Sequence, residues 1–178
     1  MAKSKLKIKY MVLGAAFLAI AMVLPLLTGQ IPQIGKALCP MHIPVILCGF
    51  FCGPWYAFAI GLISPLLRFL IFGMPVLVPD GICMCFELAT YGFITGALYK
   101  LLPKKKINIY VALIIAMLAG RIVWGIGRTI LYGLGSTEFG FAAFIAGGFI
   151  NALPGIILQL VLIPIIVMAL SRYTYTER

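Results

Sequence analysis

Residues 107–134, INIYVALIIAMLAGRIVWGIGRTILYGL, decide the fold class of this chain. The stretch exceeds the roughly 20 apolar residues that a helix needs to cross a bilayer, and its only charges are Arg121 and Arg128. Over the whole chain of 178 residues, 63% are hydrophobic, 10% are charged and the mean hydropathy is +1.15. A soluble domain of this length has too small a core to bury so much apolar surface. The composition therefore predicts an all-α integral membrane bundle, and excludes a soluble globular domain and a disordered chain.

Five further apolar segments accompany this one, and together they predict a single membrane domain over residues 1–178 without internal repeats. The six predicted spans are residues 10–27, 42–51, 55–72, 82–102, 107–134 and 144–170. The second segment is short, which leaves two interpretations open: a tilted helix completed by residues 35–41, or a re-entrant piece packed inside the bundle.

The distribution of Lys and Arg predicts the orientation. With six spans, one side of the membrane carries Lys3, Lys5, Lys7, Lys9, Lys100, Lys104, Lys105, Lys106, Arg172 and Arg178. The other side carries Lys36 with Asp80 and Glu138. The positive-inside rule then places both termini in the cytoplasm, as a short basic segment 1–9 and a tail 171–178. The net charge of +10 is thus explained by topology and by membrane lipids, and no nucleic-acid partner is predicted.

Polar groups within the spans indicate where a ligand would bind, because an ionisable side chain in a bilayer is costly unless it faces a polar interior. In the predicted topology, most of them fall in the outer half of the membrane. The candidate ligand-binding residues are His42, Arg68, Glu87, Tyr91, Arg121, Trp124, Arg128 and Asn151.

The fifth span is the most informative of these. Arg121, Trp124, Gly125 and Arg128 follow the spacing i, i+3, i+4 and i+7, which is one face of a helix. An arginine grips a carboxylate through two parallel hydrogen bonds, and a tryptophan supplies a flat apolar wall. Since the three intramembrane arginines outnumber Glu87, the interior is predicted to be about two charges positive. The pattern favours a small anionic ligand.

A structural interpretation of the same residues stays open. Glu87 can pair with Arg68 or Arg121 and hold helices together, and Arg68 and Arg128 can reach the interface from the helix ends. Glu87 and Tyr91 are spaced i, i+4, whereas Asn151 can serve as a hydrogen bond between helices.

The cysteines do not predict a metal or a cofactor. Cys48 and Cys52, and likewise Cys83 and Cys85, lack the spacing of paired C-x-x-C zinc sites. Five cysteines in apolar surroundings indicate buried thiols rather than a disulfide framework. The tetrapeptide at residues 41–44, MHIP, resembles the start of nickel and cobalt uptake proteins, but here it is internal and lacks the free amine.

Several motifs in order resemble a known family. The first span contains Ala15 and Ala19 four residues apart, a spacing that allows close helix approach. It is followed by CPMHIPV at residues 39–45, GFFCGP at 49–54 and SPLLR at 64–68. Together with six spans, these motifs resemble the substrate-binding S components of energy-coupling factor (ECF) vitamin transporters over almost the whole chain.

The resemblance implies a function that composition alone does not. S components bind a vitamin or precursor in an outward-facing pocket of a bacterial-type plasma membrane, capped here by loops 30–41 and 73–80. They associate with a transmembrane coupling protein and two cytoplasmic ATPases, and topple to release the ligand. The resemblance assigns Ala15 and Ala19 to docking on the coupling protein. The chain itself has no GxxxxGK[ST] phosphate loop, so it is not expected to be an enzyme.

The charge pattern narrows the range of ligands that the site could bind. A positive interior disfavours the cation thiamine, and a single tryptophan in the outer region disfavours a flavin. A small carboxylate such as pantothenate fits the face of Arg121 and Arg128, while folate, a queuosine precursor and a cobalamin-type ligand stay open.

Two other functional classes compete with this interpretation. One is an integral membrane enzyme acting on lipids or isoprenoids, with Glu87, Asp80 or His42 as acid and base. The other is a gradient-driven secondary transporter with Glu87 as the proton carrier. The sequence lacks a GxSxG motif, carboxylates at helical spacing, and the inverted repeats of such transporters.

Overall fold

The computed structural model describes residues 2–28, 37–133 and 140–171, and every regular element in these ranges is helical. The α-helices are α1 (Ala2–Val23), α2 (His42–Cys52), α3 (Pro54–Phe72), α4 (Ile82–Leu101), α5 (Lys106–Gly133), α6 (Phe141–Ile145) and α7 (Leu153–Ala169). A 3-10 turn, Leu24–Thr28, follows α1, and π-helical turns, Leu77–Gly81 and Ala146–Ile150, precede α4 and α7.

Four helical stretches in the described ranges are long and apolar enough to cross a membrane. They are Lys7–Leu27, Pro54–Phe72, Leu77–Leu101 and Lys106–Leu131. A fifth candidate is a broken span, in which Phe141–Ile150 and Leu153–Ala169 meet at an angle of 41°. The described residues are thus all helical, as the composition predicts, and they contain four or five candidate spans where the sequence predicted six.

Helix α2 is the buried centre of this arrangement. It has 11 residues, about half of a span, and every one of them is buried. Helices α1, α3, α4 and α7 all pack on it. Because α2 and α3 are separated only by Gly53, which adopts a positive φ of 90°, the chain reverses sharply at this point.

Close contact between α3 and α4 depends on two glycines. A Cβ on Gly61 would lie 2.5 Å from the carbonyl oxygen of Leu88, and a Cβ on Gly92 would lie 2.7 Å from that of Ala57. No larger residue allows the two backbones to approach this closely. Glu87, which lies beside this contact on α4, is buried in the protein interior.

The predicted segment boundaries differ most from the helices in two places. Helix α1 begins at Ala2 rather than at residue 10, so the basic segment 1–9 is largely helical. The sixth segment begins at Phe141 rather than 144 and is bent. The second is shorter than a span, as its length indicated. Residues 30–36, Leu134, Glu138 and the tail residues 172–178 lie outside the described ranges.

Candidate ligand-binding site

A buried ion pair between Arg121 and Glu87 lies at the centre of the site. Arg121 on α5 places Nη1 2.9 Å from Oε1 of Glu87 on α4, and the two side chains are 7% and 2% exposed. The burial of an isolated charge at such a position would cost roughly several kcal/mol of desolvation free energy. Of the two arginines that the sequence offered as partners for Glu87, the structure selects Arg121.

Two further side chains contact the same carboxylate oxygen. Tyr91, one turn along α4, donates its hydroxyl to Oε1 of Glu87 at 3.1 Å. His42, the first residue of α2, places Nε2 3.5 Å from that oxygen, and its ring centroid lies 5.2 Å from that of Tyr91. Helices α2, α4 and α5 therefore converge on one carboxylate.

Cys39 completes this group from the loop before α2. Nη2 of Arg121 donates to its Sγ at 3.6 Å, and burial raises the pKa of the Cys39 thiol above its ordinary value. Cys39 also has a positive φ of 48°, which is uncommon for a residue other than glycine. No pattern in the sequence indicated this role. We call Cys39, His42, Glu87, Tyr91 and Arg121 the polar cluster.

Several polar atoms at the cluster lack hydrogen bonds. Within the described ranges, no hydrogen-bond partner is found for Nδ1 of His42, for Nε of Arg121 or, on α7, for Nε2 of Gln159, and Nε2 of His42 has only its 3.5 Å contact with Glu87. Gln159 on α7 lies one turn beyond Gly155, where a Cβ would meet the backbone of Ala37 and Leu38. By helical spacing, Gln159 therefore faces the start of α2. Donors left unmet in a buried place suit a ligand that supplies acceptor atoms.

A second polar contact lies towards the C-terminal end of α5. Nη2 of Arg128 lies 2.6 Å from Oδ1 of Asp80, which belongs to the turn before α4. The guanidinium of Arg128 lies 5.1 Å from the ring centroid of Trp124. Asp80 thus balances Arg128, and the predicted excess of about two positive charges, which omitted Asp80, is too large.

Trp124 is covered by the bent helix that follows. Its ring centroid lies 6.3 Å from that of Phe144, and a Cβ on Gly147 would lie 3.0 Å from its ring. Segment Phe141–Ile150 therefore forms a cover over the face of α5 that carries Arg121, Trp124 and Arg128.

Arg68 makes a structural contact. Its Nη1 donates to the carbonyl of Met22 at the end of α1 at 2.9 Å, and its guanidinium lies 5.1 Å from the ring centroid of Phe72. The Arg68 side chain is buried. It therefore does not extend from the helix end to the membrane interface, which was one of the interpretations left open by the sequence. Cations at the C-terminal end of a helix stabilise its unpaired carbonyls.

The remaining predicted residues lie on the surface. Asn151 sits at the bend before α7 with its side chain exposed. Ala15 and Ala19 are exposed on one side of α1, so they are not used for packing within the described chain. All five cysteines are buried, and none of them forms a disulfide bond. The described residues contain no group of three or more His, Cys, Asp or Glu side chains that could hold a metal ion.

Comparison with known families matches the sequence of this chain to one of them. The sequence model for the ECF transporter substrate-specific component covers residues 9–167. The chain belongs to this family. No curated protein matches it in a sequence comparison. ECF substrate-specific components are membrane proteins and substrate-binding subunits of transporters rather than enzymes, which sets aside the lipid-modifying enzyme as an interpretation of Glu87 and His42.

Proposed function

We propose that this ECF substrate-specific component captures a vitamin or vitamin precursor from outside the cell, and that the ligand is a small carboxylate such as pantothenate. The proposal rests on the guanidinium of Arg121, because part of its hydrogen-bonding capacity is not satisfied by the described residues. Its Nη1 is paired with Glu87, its Nη2 contacts only a thiol, and its Nε has no partner in the described chain.

This geometry suits a carboxylate. The edge of a guanidinium formed by Nε and one Nη donates two parallel hydrogen bonds, and a carboxylate is the natural acceptor for both. A neutral thiol is a weak acceptor, so Cys39 is readily displaced from Nη2. The ring of His42, with Nε2 3.5 Å from the Glu87 oxygen, adds a further polar group beside the bound carboxylate.

The surrounding side chains favour a small ligand. Trp124 is the tryptophan beside the site, whereas Trp55 is 72% exposed and packs on Phe93 elsewhere. A single tryptophan offers little surface on which the large ring system of a flavin could stack. Gln159 adds a donor for a carbonyl or hydroxyl oxygen. We include His42, Tyr91, Trp124, Arg128 and Gln159 with Arg121 in the proposed site, and assign Arg68 to packing.

The proposed orientation follows the positive-inside rule. The chain crosses a bacterial-type plasma membrane in six passes, of which α2 is the short one, and both termini are cytoplasmic. Exposed Lys7 and Lys9 at one end of α1 and exposed Lys105 between α4 and α5 support this orientation.

Binding and thermal-shift measurements test the ligand. Native mass spectrometry of the detergent-purified chain would identify any retained small molecule, and a vitamin panel that includes pantothenate would follow. Arg121→Lys keeps the charge but loses the two-pronged geometry, so we expect its affinity for pantothenate to fall about tenfold or more. Equal affinity of Arg121→Ala and the parent chain would contradict the carboxylate clamp.

The proposed partners are the ECF coupling protein and two ATPases. The exposed pair Ala15 and Ala19 supports docking of α1 on the coupling protein, because small residues let another helix approach closely. We expect the double variant Ala15→Phe, Ala19→Phe to abolish co-purification with the coupling protein and to leave ligand affinity unchanged. Unaltered co-purification would place the docking surface elsewhere.

A further inference from the structure

Glu87 has two carboxylate oxygens, and the described side chains contact only one of them. Arg121, Tyr91 and His42 approach Oε1 at 2.9, 3.1 and 3.5 Å. No hydrogen bond from the described residues to Oε2 is found. Because an ionised carboxylate accepts hydrogen bonds on both oxygens, Oε2 of this buried side chain is an unused acceptor.

Unused donors accompany this acceptor in the polar cluster. Arg121 turns Nη1 to Glu87, but its Nε has no hydrogen-bond partner in the part of the chain that the structure describes. Nε2 of Gln159 is unpartnered there as well. The cluster thus offers a ligand two kinds of contact, with a donor edge on Arg121 and an acceptor on Glu87.

The charges of the site favour a ligand that brings a donor of its own. Glu87 balances Arg121 and Asp80 balances Arg128, so these four side chains carry no net charge. A carboxylate bound to Arg121 adds a negative charge beside Glu87, and like charges repel strongly where water is excluded. A hydrogen bond donated to Oε2 stabilises the charge of Glu87 and offsets part of this repulsion.

We propose that Glu87 is a specificity-determining residue, which selects a carboxylate ligand that also carries an N–H donor. This inference rests on the proposed carboxylate ligand. The carboxylate binds the edge of Arg121 that includes Nε, and the N–H donates to Oε2 of Glu87. Because both contacts adjoin one guanidinium, the two ligand groups lie close together, as they do in a short N-acyl amino acid.

The proposed class includes pantothenate and excludes simple carboxylic acids. In pantothenate an amide N–H is separated from the carboxylate by two carbons. A carboxylate on a purely apolar chain would bind Arg121 but leave Oε2 of Glu87 buried without a partner. Sites built to hydrogen-bond a polar group discriminate strongly against an analogue that lacks it.

Two analogues that differ only in the donor test this selection. N-acetyl-β-alanine has an amide N–H two carbons from its carboxylate, whereas 5-oxohexanoate has a CH2 group in its place. Each is titrated into the detergent-purified chain by ligand-observed NMR, and pantothenate is titrated separately. We expect N-acetyl-β-alanine to bind about tenfold or more tightly than 5-oxohexanoate, because only the former donates to a charged acceptor.

Variants test whether the preference comes from Glu87. Glu87→Gln should reduce it to less than about threefold, since a neutral amide is a weaker acceptor than a carboxylate. Arg68→Gln is the matched control, because it also removes a buried charge but contacts the Met22 carbonyl, and it should keep the full preference. If Glu87→Gln does not fold, Glu87→Asp keeps the charge, withdraws it by one carbon and should also reduce the preference.

The outcomes separate this inference from the proposed function. Equal affinity of the two analogues, an unchanged preference in the Glu87 variants, or binding of neither analogue would overturn the selection by Glu87. Tight binding of pantothenate without discrimination between the analogues would leave the clamp by Arg121 standing alone. Discrimination without pantothenate binding would support the selection and reject that vitamin as the ligand.

Discussion

Nη1 of Arg121 lies 2.9 Å from Oε1 of Glu87, and both side chains are almost completely buried. Removal of either partner leaves the other charge unpaired in a place that water does not reach. We expect Glu87→Gln and Arg121→Gln each to lower the free energy of unfolding by about 3–5 kcal/mol. The double variant should lose much less than the sum. Unfolding titrations in mixed micelles measure this coupling, and additive losses would show that the two charges are independent.

Arg68 is expected to affect stability and not ligand affinity. Arg68→Gln removes the charged hydrogen bond to the Met22 carbonyl, which should cost about 1.5–3 kcal/mol of unfolding free energy. Arg68→Lys keeps the charge and should lose less. Ligand affinity, measured by titration calorimetry, should stay within about twofold of the parent, which corresponds to a change of no more than about 0.4 kcal/mol in binding free energy. A large drop in ligand affinity with unchanged stability would indicate instead that Arg68 belongs to the binding site.

Gly120 should be intolerant of a side chain, because its Cβ would overlap the Tyr91 ring. Gly120→Ala would push Tyr91 away from Glu87, with an expected loss of about 1–3 kcal/mol of unfolding free energy and weaker ligand binding. Gly140→Ala is the matched control, since no atom lies within 4 Å of its Cβ. Its unfolding free energy should change by less than about 0.5 kcal/mol. Equal effects of the two substitutions would argue against the packing of α5 on Tyr91.

The Cys39 thiol should react slowly with alkylating reagents. Burial raises its pKa, so near neutral pH the reactive thiolate is scarcer than in an exposed cysteine. We expect the rate of modification by N-ethylmaleimide to keep rising beyond about pH 9, where the rate of a free cysteine levels off. Bound ligand should slow the reaction further. Peptide mass spectrometry separates Cys39 from the other four cysteines, and a rate at pH 8 equal to that of glutathione would contradict the burial.

The sequence identified the charged members of the site because charges in apolar spans are costly and therefore conspicuous. Glu87 and Arg121 were predicted to lie inside the bundle, and they do. Their pairing could not be derived, since it depends on how α3, α4 and α5 are rotated about their axes. That rotation follows from backbone contacts at glycines such as Gly61, which become visible only once the helices are placed.

The residues that were missed carried weaker signals. Gln159 is the polar side chain of an otherwise apolar helix, and its amide could have been noticed within residues 153–169. The sequence around Cys39 contained no signal of its role, because its conformation and its contact with Arg121 arise from the path of the loop into α2. The bend near Asn151 had local indicators, Gly147, Gly148 and Pro154, which weaken a continuous helix.

The length of α2 has a consequence for permeation. At about 1.5 Å per residue, its 11 residues reach about 16 Å from the sharp reversal at Gly53, whereas the hydrocarbon layer is about 30 Å thick. In the proposed orientation, with Gly53 near the cytoplasmic surface, His42 at the other end of α2 and the polar cluster with it would lie near the midplane. Under the proposed ATP-driven import, a solute bound there would already have crossed about half of the dielectric barrier before ATP is consumed, and the 11 buried residues of α2 would seal the membrane beneath it.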